Sequence, residues 1–227
     1  MKRLFVLTAF AAVALLPVAA RADVVAVGDV IQVNDNDGFS NGSASFGGGG
    51  AWFLDNITLN GVGGAGQFVT FCLESTETLS VGGNLYVGGI SNGATGGGFS
   101  GGDPDALDLE TRALYHRFRN GNAGGWTGAQ VQLAIWYYEG ELDRAADSVL
   151  KTAVGLDAVV VWANANAGAY NFGTDVVQAI NVYKDANLTD KGQDLIMIRS
   201  VPEPASMLLL GLGLIGAAGA ARRRSSK

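Results

Sequence analysis

The chain has 227 residues, with 15 Lys and Arg against 21 Asp and Glu and a single cysteine. Between Asp23 and Pro202 the balance is 8 basic to 20 acidic residues, a net charge of −12. That balance excludes nucleic acid and anionic membrane surfaces as partners of this segment, because both require cationic faces, and one cysteine excludes an internal disulfide.

Residues 1–22 read as a secretory signal peptide. Met1 to Arg3 is a short basic start, "LFVLTAFAAVALLPVAA" is the apolar core, and Ala20-Arg21-Ala22 is a small-residue cleavage site before Asp23. Export delivers the chain to an oxidising compartment. Its one thiol, Cys72, must then be buried, paired between molecules, or used chemically.

From 23 to 102 the chain alternates short apolar runs with glycine-rich turns: "VVAVGDVIQV", "AWFLDNITL", "QFVTFCLE" and "NLYVGGI". Of the 34 glycines, 20 lie between Gly38 and Gly102 without a fixed period, which predicts antiparallel strands and excludes a regular solenoid. "NDNDG" at Asn34 to Gly38 has calcium-loop residue types but no following Glu at EF-hand spacing, so it reads as a tight turn.

Residues 103–172 read as helical. Asp103 is placed as an N-cap with Pro104 in the first turn, Asp105 and Asp108 as early acids, and Asn120-Gly121 as the stop. A second helix starts at Thr127, where Gln130 completes a capping box. A third runs from about Ala146 to Ala165, with Leu150, Val154, Ala158 and Val161/Trp162 as its apolar stripe. Two strands in 174–200, "DVVQAINVYK" and "DLIMIRS", close the domain. The predicted fold class is α+β: an antiparallel β-sandwich or barrel-like part, an inserted α-helical subdomain and a closing β-hairpin.

Residues 201–227 form a separate tail. Ala205 to Ala221 is an uncharged run of 17 residues, at the short limit for a transmembrane helix. Arg222, Arg223 and Arg224 follow it and prefer the cytoplasmic side. Pro202-Glu203-Pro204, the apolar run and the arginine cluster, in that order, resemble the PEP-CTERM sorting signal. The resemblance implies recognition by an exosortase in a Gram-negative bacterium. It also implies a C-terminal helix in the inner membrane before processing, and delivery to the cell surface or extracellular matrix.

One residue in the second helix is out of place. Gln132 shares a face with Ile135 and Trp136, and burying its amide costs free energy unless both ends find partners. Gln130 has a capping role; Gln132 has none. A buried glutamine satisfied by backbone groups is one reading.

Phe71-Cys72-Leu73-Glu74 and Val131-Gln132-Leu133-Ala134-Ile135-Trp136 resemble the two motifs of the bacterial thioester domains of surface adhesins. Val131 stands where many members carry Thr. The resemblance spans most of residues 23–200 and implies a thioester between Cys72 and Gln132. Such a bond is vulnerable to water, and Phe71, Trp136 and Tyr137 are the candidate walls that exclude it. The thioester would attach the protein covalently to an amine-bearing surface or matrix polymer, as in adhesion or a biofilm matrix. A protein that reacts once in this way is not a turnover enzyme, and nothing in the residues requires a cofactor or a metal. The alternatives are a non-covalent structural matrix protein with a buried free Cys72, and a cysteine hydrolase using Cys72 with His116. His116 itself, among Tyr115 and Arg117, reads as a solvated helix residue.

Overall fold

Each apolar run of the first half becomes a strand. In the computed structural model, which describes residues 25–35, 51–60, 67–96, 102–141 and 156–200, the chain order is as follows. Strand β1 (Val30–Asp35) and β2 (Trp52–Asn56) are followed by a one-turn helix α1 (Ile57–Asn60), then β3 (Phe68–Thr70), β4 (Asn84–Ser91), β5 (Gly93–Ala94) and β6 (Asp105–Ala106). Helices α2 (Leu109–Arg119), α3 (Gly128–Tyr138) and α4 (Leu156–Asn166) come next, and β7 (Asp175–Tyr183) and β8 (Leu195–Ser200) end the fold. All of these belong to the unit Asp23–Val201. The signal peptide, Asn36 to Gly38 of the "NDNDG" turn, the first part of the third predicted helix and the tail helix at 205–221 lie outside the described residues.

Six strands make one antiparallel sheet in the order β3-β2-β1-β4-β7-β8. Its two edges approach each other. Beyond β3 the chain stays extended, with Ile196 N–H donating to Phe71 C=O at 3.2 Å and Leu73 N–H donating to Asp194 C=O at 2.9 Å. The Thr70 hydroxyl donates to Ile196 C=O at 2.7 Å. The sheet is therefore nearly barrel-shaped, and its seam runs through Thr70 to Leu73 on one side and Asp194 to Ile196 on the other. The mixed α+β class expected from the sequence holds at this level.

Strand β8 is buried on both faces, as a continuous apolar run predicts. Leu195 and Met197 join one apolar cluster, and Ile196 and Ile198 join the other. Helices α2 and α3 contribute to both clusters, through Leu114 and Trp136 on one side and Tyr115 and Ile135 on the other. The β7–β8 turn is held by Asp185, whose carboxylate accepts the N–H groups of Thr189 and Asp190 at 2.9 and 2.7 Å.

Two helix expectations change. The helix expected at Asp103 starts at Leu109 with Asp108 as its N-cap. Asp105 and Ala106 instead pair as a strand with Ala94 and Gly93, so tertiary pairing overrides the Asp-Pro start signal. In α4 Trp162 packs against the core as expected, but Val159 and Ala163 are the buried residues beside it, while Val161 is 66% exposed. Val, Ala and Trp fill consecutive positions there, and an apolar run without polar interruption does not fix the helix phase.

The short β5–β6 pair depends on a missing side chain. A Cβ at Gly93 would collide with the backbone carbonyl of Asp105. Gly93→Ala should therefore destabilise the protein by about 1–3 kcal/mol, read as a lowered melting temperature. Gly168→Ala, where nothing lies within 4 Å of the added methyl, should leave it unchanged or slightly raised.

Candidate functional site at the Cys72–Gln132 seam

Helix α3 brings Gln132 to the seam. Thr127 caps the helix and forms the full capping box with Gln130, each side chain taking the other's backbone N–H at 3.2 and 2.9 Å. This fixes where the helix begins, and five residues on from the cap Gln132 points inward, 1% exposed.

Cys72 stands opposite Leu195 in an antiparallel bridge. The seam hydrogen bonds belong to its neighbours Phe71 and Leu73, so the N–H and C=O of Cys72 face away from β8. Gln132 takes both. Its Oε1 accepts the Cys72 N–H at 2.9 Å, and its Nε2 donates to the Cys72 C=O at 2.6 Å. The carboxamide is thus hydrogen-bonded at both ends to the residue whose thiol it accompanies. Chemically, the carbonyl is polarised by an N–H donor and the nitrogen is held by an acceptor.

The surroundings are apolar and acidic. Burial pushes the Cys72 thiol up to about 12, with the Trp52 indole pulling against it and the Glu74 charge adding to it. Glu74, two residues along and 3% exposed, is raised to about 9 by burial, by its hydrogen bond to Glu77 and by the charges of Asp194, Glu77 and Glu141. Asp194 is raised to about 6 by burial, against hydrogen bonds from Thr95, Asn181 and Val182. Glu139, at the C-terminus of α3, is raised to about 7 by burial while it accepts the Asp108 N–H at 3.1 Å. Among the described residues no group of His, Cys, Asp and Glu side chains is arranged to hold a metal ion.

The residues expected around the pair divide between the two clusters. Trp136, 5% exposed, shares the cluster of Cys72, and Tyr137 packs against it half-buried. Phe71 lies in the other cluster, edge-on to Tyr115 and Phe118, as the alternation of side chains along an extended segment requires. Trp52, unremarked in the sequence, packs against the Cys72 cluster. Its position becomes meaningful only once β2 and β3 are in register. His116 is not solvated but 6% exposed, with its ring nitrogens 3.0 Å from the Tyr170 hydroxyl and the Asp175 carboxylate. A face of α2 that looks polar in sequence is covered by the Tyr170–Asp175 segment.

Asp108 keeps its place at the start of α2, whereas Asp103 accepts the Gly96 N–H at 3.1 Å and Asp105 sits in β6. No helix among the described residues is long and apolar enough to cross a membrane.

Residues 200–224 match the family model of the PEP-CTERM protein-sorting motif, a stretch that contains Pro202, Glu203, Pro204 and Arg222 to Arg224. The match marks an exported, cell-surface protein whose tail carries a signal recognised by exosortase-type processing. No curated protein matches the chain. Among solved structures, the N-terminal domain of the Streptococcus pyogenes pilus tip adhesin Cpa is similar at 14% identity and a TM-score of 0.44, over 80% of this chain and 98% of that one.

The raised carboxyls set a pH dependence. Each binds its proton more tightly folded than unfolded, so stability falls as pH rises from the ordinary carboxylate range to the folded value. The shares of Asp194 and Glu139 are lost by about 6 and 7, and that of Glu74 runs on to about 9. The melting temperature should fall as pH rises from 7 to 9 through the window set by Glu74, and Glu74→Gln should flatten that part of the curve. An equal slope in the variant would remove Glu74 as its cause.

Proposed function

We propose that Cys72 and Gln132 condense into an internal thioester, through which this exported surface protein becomes covalently attached to amines. The observation that carries the reading is the pair of reciprocal hydrogen bonds, 2.9 and 2.6 Å, between the Gln132 carboxamide and Cys72. In the condensation the sulfur attacks the carboxamide carbon, the C–S bond forms, the C–N bond breaks, and the thiol proton leaves with the nitrogen as ammonia. A carboxamide is a poor acyl donor, and a thiol raised to about 12 is a reluctant nucleophile at neutral pH. Fixed proximity and a polarising N–H donor supply the assistance.

The product is an activated acyl group in a water-poor site. A primary amine attacks the Gln132 carbonyl carbon, a stable amide forms, and Cys72 is released. The protein reacts once and does not turn over. Export by the tail places the reaction outside the cell, and the net charge of −12 between Asp23 and Pro202 favours cationic amines, such as lysine side chains or amine-bearing matrix polymers, at low salt. A closed loop of 60 positions would restrain the unfolded chain by about 4 kcal/mol, by analogy with a disulfide.

A second reading is favoured by the same hydrogen bonds: a non-covalent matrix protein in which the Gln132 amide only satisfies the Cys72 backbone and the thiol stays free. The hydrolase reading has less support, since both ring nitrogens of His116 are engaged by Tyr170 and Asp175.

Intact mass separates the first two. The purified unit from Asp23 to Ser200 should be lighter than its sequence by one ammonia, and methylamine should add to Gln132 while freeing Cys72. Cys72→Ala and Gln132→Ala should each show the mass calculated for that variant, whereas Gln130→Ala should retain the bond. A full-mass wild type with a titratable thiol selects the non-covalent reading.

Sorting is tested separately. Replacing Pro202-Glu203-Pro204 should block processing of the tail, and deleting Arg222 to Arg224 should impair its retention before processing. Wild-type processing and localisation in both variants would reduce the tail to an ordinary anchor.

A further inference from the structure

Trp52 and Cys72 project from the same face of the sheet. In the β2–β3 pair Trp52 stands directly opposite Thr70, so the two side chains share a face. Cys72 is two residues beyond Thr70 in extended chain and returns to that face. The diagonal between Trp52 and Cys72 is one that an aromatic side chain spans, and Trp52 packs against the cluster that contains Cys72. Its indole Nε1 is buried and makes no hydrogen bond to oxygen or nitrogen.

A buried N–H without an oxygen or nitrogen acceptor costs about 1–3 kcal/mol, and a sulfur that carries negative charge would satisfy it. A neutral thiol is a weak acceptor, whereas an anionic one forms a charge-assisted bond. Resting on the reading of Cys72 and Gln132 as a thioester pair, we propose that the Trp52 indole N–H is the donor that meets the Cys72 sulfur whenever it carries negative charge. Trp52 thereby governs how readily the acyl group leaves it. The pull of Trp52 against the raised thiol is the electrostatic expression of the same contact.

During aminolysis the new C–N bond forms at the Gln132 carbonyl carbon and the C–S bond breaks with its electron pair remaining on sulfur. The Trp52 N–H faces that electron pair as it arrives. The proton lost by the amine then returns to the sulfur, and the free thiol and the amide are the products. The same donor assists formation of the thioester, where the sulfur must shed its proton before or as it attacks.

The test removes the N–H while keeping the ring. Benzothienylalanine at position 52 preserves the shape of indole without a donor, and Trp52→Phe is a second variant. Each is made with Gln132 intact and with Gln132→Ala, and folding is checked by near-ultraviolet circular dichroism. With Gln132→Ala the thiol is free, and iodoacetamide alkylation between roughly pH 7 and 9 reads its anionic fraction. Loss of one charge-assisted bond should slow alkylation about tenfold at each pH, and with Gln132 intact it should slow methylamine addition by a similar factor. Trp162→Phe should change neither rate. Unchanged rates in a folded position-52 variant, or an equal loss in Trp162→Phe, overturn the proposal. If the wild type carries no thioester, the proposed function fails, and the alkylation series still decides whether Trp52 serves the sulfur.

Discussion

A primary carboxamide presents the same donor and acceptor as a peptide group, and Gln132 is used as one. At the seam of the near-barrel, Cys72 turns its backbone N–H and C=O away from β8, toward the side on which β2 pairs with β3 and beyond the last paired residue, Trp52. Helix α3 fills that place with a side chain, at 2.9 and 2.6 Å. Sheet closure and helix docking therefore meet at one residue. Removing the amide would leave two buried backbone groups unsatisfied at once, at about 1–3 kcal/mol each.

Burial disfavours charge on two groups beside this seam. The Cys72 thiol is held up by burial and by the Glu74 charge, and Glu74 is itself held up by burial and by the carboxylates of Asp194, Glu77 and Glu141. A thiol kept neutral in an apolar cluster is protected from adventitious oxidation, which acts on thiolates. The Gln132 carboxamide is hydrogen-bonded to the backbone of the same residue, at 2.9 and 2.6 Å.

Sequence reasoning reaches the parts governed by local chemistry. The Thr127–Gln130 capping box, the inward face of Gln132 and the apolar runs of β1 to β4, β7 and β8 are legible because they depend on periodicity and nearest neighbours. The start of α2 is not legible in this way, because Asp105 and Ala106 are claimed by Ala94 and Gly93, a strand earlier in the chain. His116 looks solvated in sequence because its cover comes from Tyr170 and Asp175, more than fifty positions away. Phe71 and Trp52 exchange apparent importance for the same reason. Which face of the seam each occupies depends on the β2–β3 register, and register is a property of the assembled sheet.

The capping box also makes the domain intolerant of one kind of change. An α-helix advances about 100° per residue, so one residue inserted between Thr127 and Gln132 would turn the carboxamide about a quarter of the way round the helix. It would leave the helix itself intact. A change of length upstream of the cap, between Asn120 and Trp126, does not by itself alter the helix phase that aims the amide. Divergence in this fold is thus expected to accumulate before the cap, while the five-residue step from Thr127 to Gln132 behaves as a fixed ruler.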